Sequence, residues 1–318
     1  DASSLFIFDF PKIGNAGKYI LDKKNSYFEQ IKSFDLNSEI DIAFHYKGKK
    51  PGYVFTLPNS SSMILKYHLS ISELVDTDYK PRVSDDRVGH FETIFQDYSN
   101  MLSESPYVRY VQRWDLQKKN PNARLSEPKE PIIFWVENTV PLQFRKAFHD
   151  GILAWNKSFE KIGFKNAIVS KQMPDDAEWD PADIRYSTVR WMIQPGSGIA
   201  VGPSRANPIT GEIYDADVRV SSDWIRHYYN EYSMQMSDLL DTPQSAYDSV
   251  MYDFDHSDHH VCNYAFEKQN QVSFLWDYML AKGLIDGNDE ELEKFVYEGI
   301  VDLILHEVGH TLGLRHNF

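Results

Sequence analysis

Cysteine is nearly absent: Cys262 is the only one in 318 residues. An internal disulfide and a cysteine-rich zinc knuckle are therefore excluded. The compartment stays open, because a chain of this length can bury a core that stands without disulfides. No apolar run approaches the ~20 residues of a membrane-spanning helix, and the longest obvious one, Ile132 to Val136, reads as a strand. Positive charge is in deficit. Lys and Arg number 33 against 47 Asp and Glu, a net charge of −14 at pH 7, and an acidic surface repels phosphate backbones, which argues against a nucleic-acid partner. Neither a start Met nor a signal segment precedes Asp1, so the numbering reads as beginning at a processed or internal end. What remains is an ordinary globular composition, 42% hydrophobic, 14% aromatic and 25% charged. That excludes chain-wide disorder and leaves room for one large domain or two modest ones.

The first hundred residues read as strands and turns. Leu5 to Phe8, Ile40 to Tyr46, Tyr53 to Leu57 and Met63 to Ile71 are strand-like runs. Pro and Asn-Ser clusters such as Pro58 to Ser62 punctuate them. The pattern predicts a β-rich module over residues 1–105, with Tyr79 to Phe91 as a charged connector. A second domain is expected over 106–318. There, a buried strand at Ile132 to Glu137 precedes a helix opened by Pro141, with Phe144, Ala147, Phe148, Ile152, Trp155 and Phe159 at helical spacing and Gly163 as its stop. Strands are expected again at Asp183 to Trp191 and Glu212 to Val220. This alternation predicts an α+β or α/β arrangement, a twisted mixed sheet with helices.

The last segment is the clearest helix. Asn288 is placed to cap it, and Asp289, Glu290 and Glu291 put negative charge on its first turn, where the helix dipole favours it. Leu292, Phe295, Val296, Gly299 and Leu303 form one face, which runs on into His306 and His310. These two histidines are four apart, so both imidazoles project from one side and can share a zinc ion at ~2.0–2.1 Å. Glu307 is placed one step round the helix, beside a metal-bound water rather than as a ligand. Gly313 permits the turn that brings His316 back as a third ligand, which leaves a fourth position for water, the mark of a catalytic zinc site. The full stretch, His-Glu-Val-Gly-His-Thr-Leu-Gly-Leu-Arg-His over 306–316, is far more specific than a bare His-Glu-x-x-His.

That stretch resembles the elongated zinc motif of the metzincin metalloproteases. Tyr110 to Asp115, Pro131 to Asn138, Asp180 to Tyr186 and Gly202 to Ile213 resemble a bacterial family of large metzincin-like zinc-dependent metalloproteases, and the likeness spans roughly residues 75–318 and, more weakly, the β-rich start. It implies a five-stranded twisted sheet over a cleft, with the zinc helix beneath and an edge strand at Ile199, Ala200 and Val201 that pairs with a peptide substrate; a short loop contact is the alternative for those three residues. It also implies a secreted or periplasmic home. The family's Met-containing turn, which floors the zinc histidines, lies beyond the third His. The sequence therefore reads as the upper catalytic subdomain without its C-terminal partner, and His316 is expected to lack anchoring.

The leading functional expectation is a zinc endopeptidase with His306, His310 and His316 as ligands and Glu307 as general base. A catalytically idle binding protein of the same fold and a zinc hydrolase of non-peptide amides are the alternatives. Asp215 and Asp217 are candidate calcium ligands, with outward-facing strand carboxylates as the plainer reading. Asp255 to His260 is a weaker metal candidate, with a solvated acidic loop as the plainer reading, and Asp302 could support His306 from one turn before it, with a capped or exposed carboxylate as the plainer reading.

Overall fold

A computed structural model describes residues 19–49, 53, 57–75, 77–99, 101–102, 104–193, 200–226, 229 and 274–316. The expected strand at Leu5 to Phe8, the Asp255 to His260 cluster, Cys262 and Ile199 lie outside the described residues. The chain forms two compact units. One comprises Asp1–Asp76 with Ala182–Ile184, the other Thr77–Pro181 with Arg185–Phe318.

The first unit is a four-stranded antiparallel sheet built on one long strand, β3 (Asn37–Gly48). The strands β1 (Tyr19–Leu21) and β2 (Tyr27–Ser33) share one edge of β3, separated by a single 3-10 turn at Lys23–Asn25, and β4 (Ser62–Ser72) lines the other. Side chains alternate between the faces of a strand. Ile40, Ile42, Phe44 and Tyr46 therefore share a face, directly opposite Leu69, Tyr67, Leu65 and Met63 of β4, and Ile42 and Phe44 are fully buried. The other face is polar. There His68 bridges Asp41 at 2.6 Å and the buried Glu39 at 2.7 Å.

The second unit opens with β5 (Glu92–Gln96) antiparallel to β6 (Tyr107–Val111). This pairing crosses residue 105, and the contact division falls at Asp76/Thr77. A mixed sheet follows: β7 (Arg113–Trp114), β8 (Ile132–Val136), β9 (Ile168–Gln172), β10 (Thr188–Met192), β11 (Ala200–Val201), β12 (Ser204–Ala206) and β13 (Glu212–Ser221). Its main path runs β11-β13-β10-β8-β9, with the last four parallel and β11 antiparallel at the edge. Helices α1 (Leu142–Leu153) and α3 (Asp289–Thr311) pack on each other and on the sheet. Phe134, Val136, Phe148, Ile152, Val189, Val218, Ile300, Leu303, Ile304 and Val308 bury the interface. No described helix is long and apolar enough to cross a membrane.

The helix expected to run unbroken from Pro141 to Gly163 is interrupted. Helix α1 stops at Leu153 and α2 (Asn156–Lys161) follows after two residues. At the break the Asn156 side chain accepts from the Ile168 N–H at 3.1 Å and donates to the Ile168 carbonyl at 2.9 Å. Asn156 thus serves the end of β9 rather than the helix.

Candidate metal centre

Helix α3 begins as its sequence dictates. The Asn288 Oδ1 accepts the Glu291 N–H at 3.0 Å, three acidic residues follow in the first turn, and the apolar stripe buries Leu292, Val296, Ile300, Leu303 and Ile304. One turn on, the same helix carries His306 and His310, and the chain reverses at Gly313 with φ at +93°, a left-handed conformation that glycine adopts without a Cβ clash. The reversal brings His316 back. Its Nε2 lies 3.0 Å from Nε2 of His306 and 3.1 Å from Nε2 of His310.

This geometry fits a small tetrahedral cation. Donors about 2.0–2.1 Å from a tetrahedral zinc stand about 3.3 Å apart, close to the separations here. The donor chemistry fits as well. The His310 Nδ1 lies 2.7 Å from the Leu314 carbonyl, which can only accept. Nδ1 therefore carries the proton and the lone pair of the neutral ring sits on Nε2, facing the other two rings. Burial also lowers the His310 pKa, with the neighbouring His316 adding to it and the Leu314 carbonyl opposing, so the neutral ligand form is favoured. Among the described residues, these three are the group of His, Cys, Asp and Glu side chains close enough to hold one metal ion.

Glu307 follows His306 and is fully buried, and among the described residues neither carboxylate oxygen has a hydrogen-bond partner of normal geometry. Burial pushes its pKa up to about 7, while the Gly202 amide pulls the other way. Gly202 directly follows β11, and a Cβ there would lie 2.2 Å from the Glu307 carbonyl oxygen. The edge strand and the helix bearing Glu307 therefore meet backbone to backbone. Ala200 and Val201 form that edge, antiparallel to Val220 and Arg219 of β13, and Ala200 is buried while Val201 is 37% exposed. Asp302 sits one turn before His306, half-buried on α3.

Two expectations meet the structure here. The first concerns Tyr79 to Phe91, expected as a charged connector, which also pairs with the final turn. The Phe91 N–H donates to the Gly313 carbonyl at 2.7 Å, the Arg315 N–H donates to the Gly89 carbonyl at 3.2 Å, and His90 and Leu314 form an antiparallel bridge. The turn leading to His316 is thus anchored from upstream. Trp114 and Trp155 brace the same helix through indole N–H bonds to the Thr311 and Leu305 carbonyls, at 2.9 and 2.8 Å. The second concerns Asp215 and Asp217, which are not solvent-facing strand carboxylates. Ala216, Val218 and Val220 belong to the core, so the two aspartates take the opposite face, where Asp215 is 3% exposed. Asp215 accepts from Ser187 at 3.4 Å and pairs with Arg205 at 3.3 Å, and Asp217 accepts from the Thr188 N–H and hydroxyl. Burial and the proximity of Asp217 push the Asp215 pKa up to about 7. Side chains and a backbone N–H already engage both Asp215 oxygens and Oδ1 of Asp217, and nothing in the arrangement supports calcium.

A family model described as Met-zincin matches residues 288–318, and a model of a domain of unknown function (DUF5117) matches residues 10–119. Searches of curated proteins and of solved structures returned no significant match. The first match covers helix α3 and all three histidines, and with their clustering it supports a metzincin-type family and a zinc-metallopeptidase-like function for this chain.

Proposed function

We propose that this chain carries the active site of a zinc-dependent endopeptidase. The observation that carries the reading is the convergence of three Nε2 atoms, from His306, His310 and His316, with the His310 tautomer fixed by the Leu314 carbonyl. These three histidines would hold the ion. Zinc bound there supplies a Lewis acid that lowers the pKa of water and polarises a carbonyl. Glu307 accepts the proton of the attacking water and returns it to the departing amine. Strand β11 orients the substrate, pairing Ala200 and Val201, with Ile199 before them in sequence, along an extended peptide by β-augmentation. An extended main chain is what such an edge recognises, which favours a peptide over a small amide.

The test separates metal binding from chemistry. Glu307→Gln should keep stoichiometric zinc and lose casein hydrolysis by about 10²–10⁴-fold, the usual worth of a general base. His310→Ala should lose the zinc itself. Parental cleavage by the Glu307→Gln protein would remove Glu307 from the reaction, and full zinc retention by His310→Ala would remove the histidines from the site.

A further inference from the structure

We infer that the segment Gly89–Phe91 is a positioning device for the third metal ligand, so that residues 77–119, within the DUF5117 match, are a working part of the metal centre. The inference rests on the zinc reading above and goes beyond it by assigning a role to a stretch outside the zinc motif.

Two rungs of antiparallel pairing grip the turn. One runs from the Phe91 N–H to the Gly313 carbonyl and the other from the Arg315 N–H to the Gly89 carbonyl. Between them lies Leu314, bridged to His90. Leu314 is also the residue whose carbonyl receives the His310 Nδ1–H. One grip therefore sets two ligands: it fixes the backbone directly before His316, and it fixes the acceptor that orients the His310 ring. The Phe91 ring adds an edge-on contact with His310, centroids 5.8 Å apart.

The grip is itself held. The Gln112 N–H donates to the Phe91 carbonyl at 2.8 Å, the next residue's N–H donates to the Gly211 carbonyl at 3.1 Å, and Arg113–Trp114 pairs with Glu212–Ile213 of β13. The fit is close on that side too: a Cβ on Gly313 would lie 2.0 Å from the Gln112 carbonyl oxygen. Gly313 is thus required twice, by its positive φ and by the strand behind it. A ligand held before the metal arrives does not have to be ordered on binding, and disturbing the groups that orient ligands typically costs about 10–100-fold in metal affinity.

The experiment uses the full chain and zinc, with affinity read by competition against a chromophoric chelator. Phe91→Pro deletes the N–H that holds Gly313, and Phe91→Ala keeps that N–H while deleting the ring. Phe91→Pro should weaken zinc by about 10–100-fold and Phe91→Ala by much less. In a His316→Ala background the Pro effect should be clearly smaller, because only the route through the Leu314 carbonyl to His310 remains. An unchanged zinc affinity in Phe91→Pro, or an equal loss with and without His316, overturns the inference while leaving the zinc reading intact. A parent that binds no zinc overturns the zinc reading and the inference with it. Should Phe91→Pro fail to fold, amide exchange in the parent decides: the Arg315 N–H should be protected like the last turn of α3 without metal, and free exchange there refutes the grip.

Discussion

A tight contact beside the candidate site predicts what one methyl group would do. Gly202 is not among the glycines with positive φ, but it has no space for a side chain. A Cβ there would lie 2.2 Å from the Glu307 carbonyl oxygen, 3.0 Å from its carbonyl carbon and 3.3 Å from Thr311 Cγ2. Comfortable non-bonded separations are about 3.5 Å, so Gly202→Ala must move strand β11 and helix α3 apart by about 1 Å. Helix α3 cannot yield freely, because Ile300, Leu303, Ile304 and Val308 are fully buried behind it. Overpacking of this kind costs about 1–3 kcal/mol. The displacement falls on the residue proposed as general base and on the edge proposed to hold substrate, and a misplacement of about 1 Å can cost 10²-fold in rate. Gly202→Ala should therefore lose about 1–3 kcal/mol in urea denaturation and about 10²-fold in kcat/KM on a peptide. Parental stability together with parental kcat/KM would refute the reasoning, since the contact would then not be tight. Zinc loss matching the activity loss would show that the strand supports the ligands instead of the base.

Removing one brace of the helix has a smaller effect. Trp155→Phe deletes the indole N–H that donates to the Leu305 carbonyl and should cost about 1–2 kcal/mol by denaturation; a neutral change would mean that the bond contributes nothing net. The Asp215–Asp217 pair gives a pH prediction. A folded pKa of about 7 for Asp215, above an unfolded value of about 4, means that the native state binds the extra proton between those limits, so stability falls as pH rises from about 4 to 7. Asp215→Asn should flatten that slope in denaturation series at several pH values, and an unchanged slope would place the titration elsewhere. In the first unit, His68 has a raised pKa, chiefly through Asp41 and further through Glu39 against its burial. Its contribution is full below pH about 6.5 and is lost as pH rises through the folded value. His68→Gln should therefore destabilise more at pH 6 than at pH 9.

Sequence and structure agree where side chains carry the information. The α3 cap, acidic first turn and apolar stripe are all residue-type signals, and Asn288, Glu291 and Ile300 do what those types do at those positions. Ile132 to Val136 similarly forms the buried strand its composition demands. The disagreements arise where main-chain groups act or where a second element decides. Every residue has an N–H and a carbonyl, so nothing in Gly89, His90 or Phe91 marks them as partners of Gly313 and Arg315, and the charged neighbourhood reads as a connector. Asp215 and Asp217 follow the alternation that would suit a solvent face, yet Arg205, Ser187 and Thr188 arrive from distant positions to enclose them. Asn156 continues a helical pattern in one dimension while its amide is claimed by Ile168 in three.

The same distinction bears on where the unit with the candidate site begins. The DUF5117 match runs from 10 to 119 and so crosses the Asp76/Thr77 division between the two units. A boundary at residue 105 would separate β5 from β6, which pair along their full length from Glu92↔Val111 to Gln96↔Tyr107. It would also expose the β6 edge and remove Gly89 and Phe91 from the turn that delivers His316. The stretch from 306 to 316 contributes the proposed ligands and the candidate base, but it does not contain the groups that hold its final turn. Those come from about two hundred residues earlier, through backbone bonds that any residue except proline at position 91 or 315 could make. The chemical signature and the physical support of this candidate centre therefore lie in different segments of the unit that starts at Thr77.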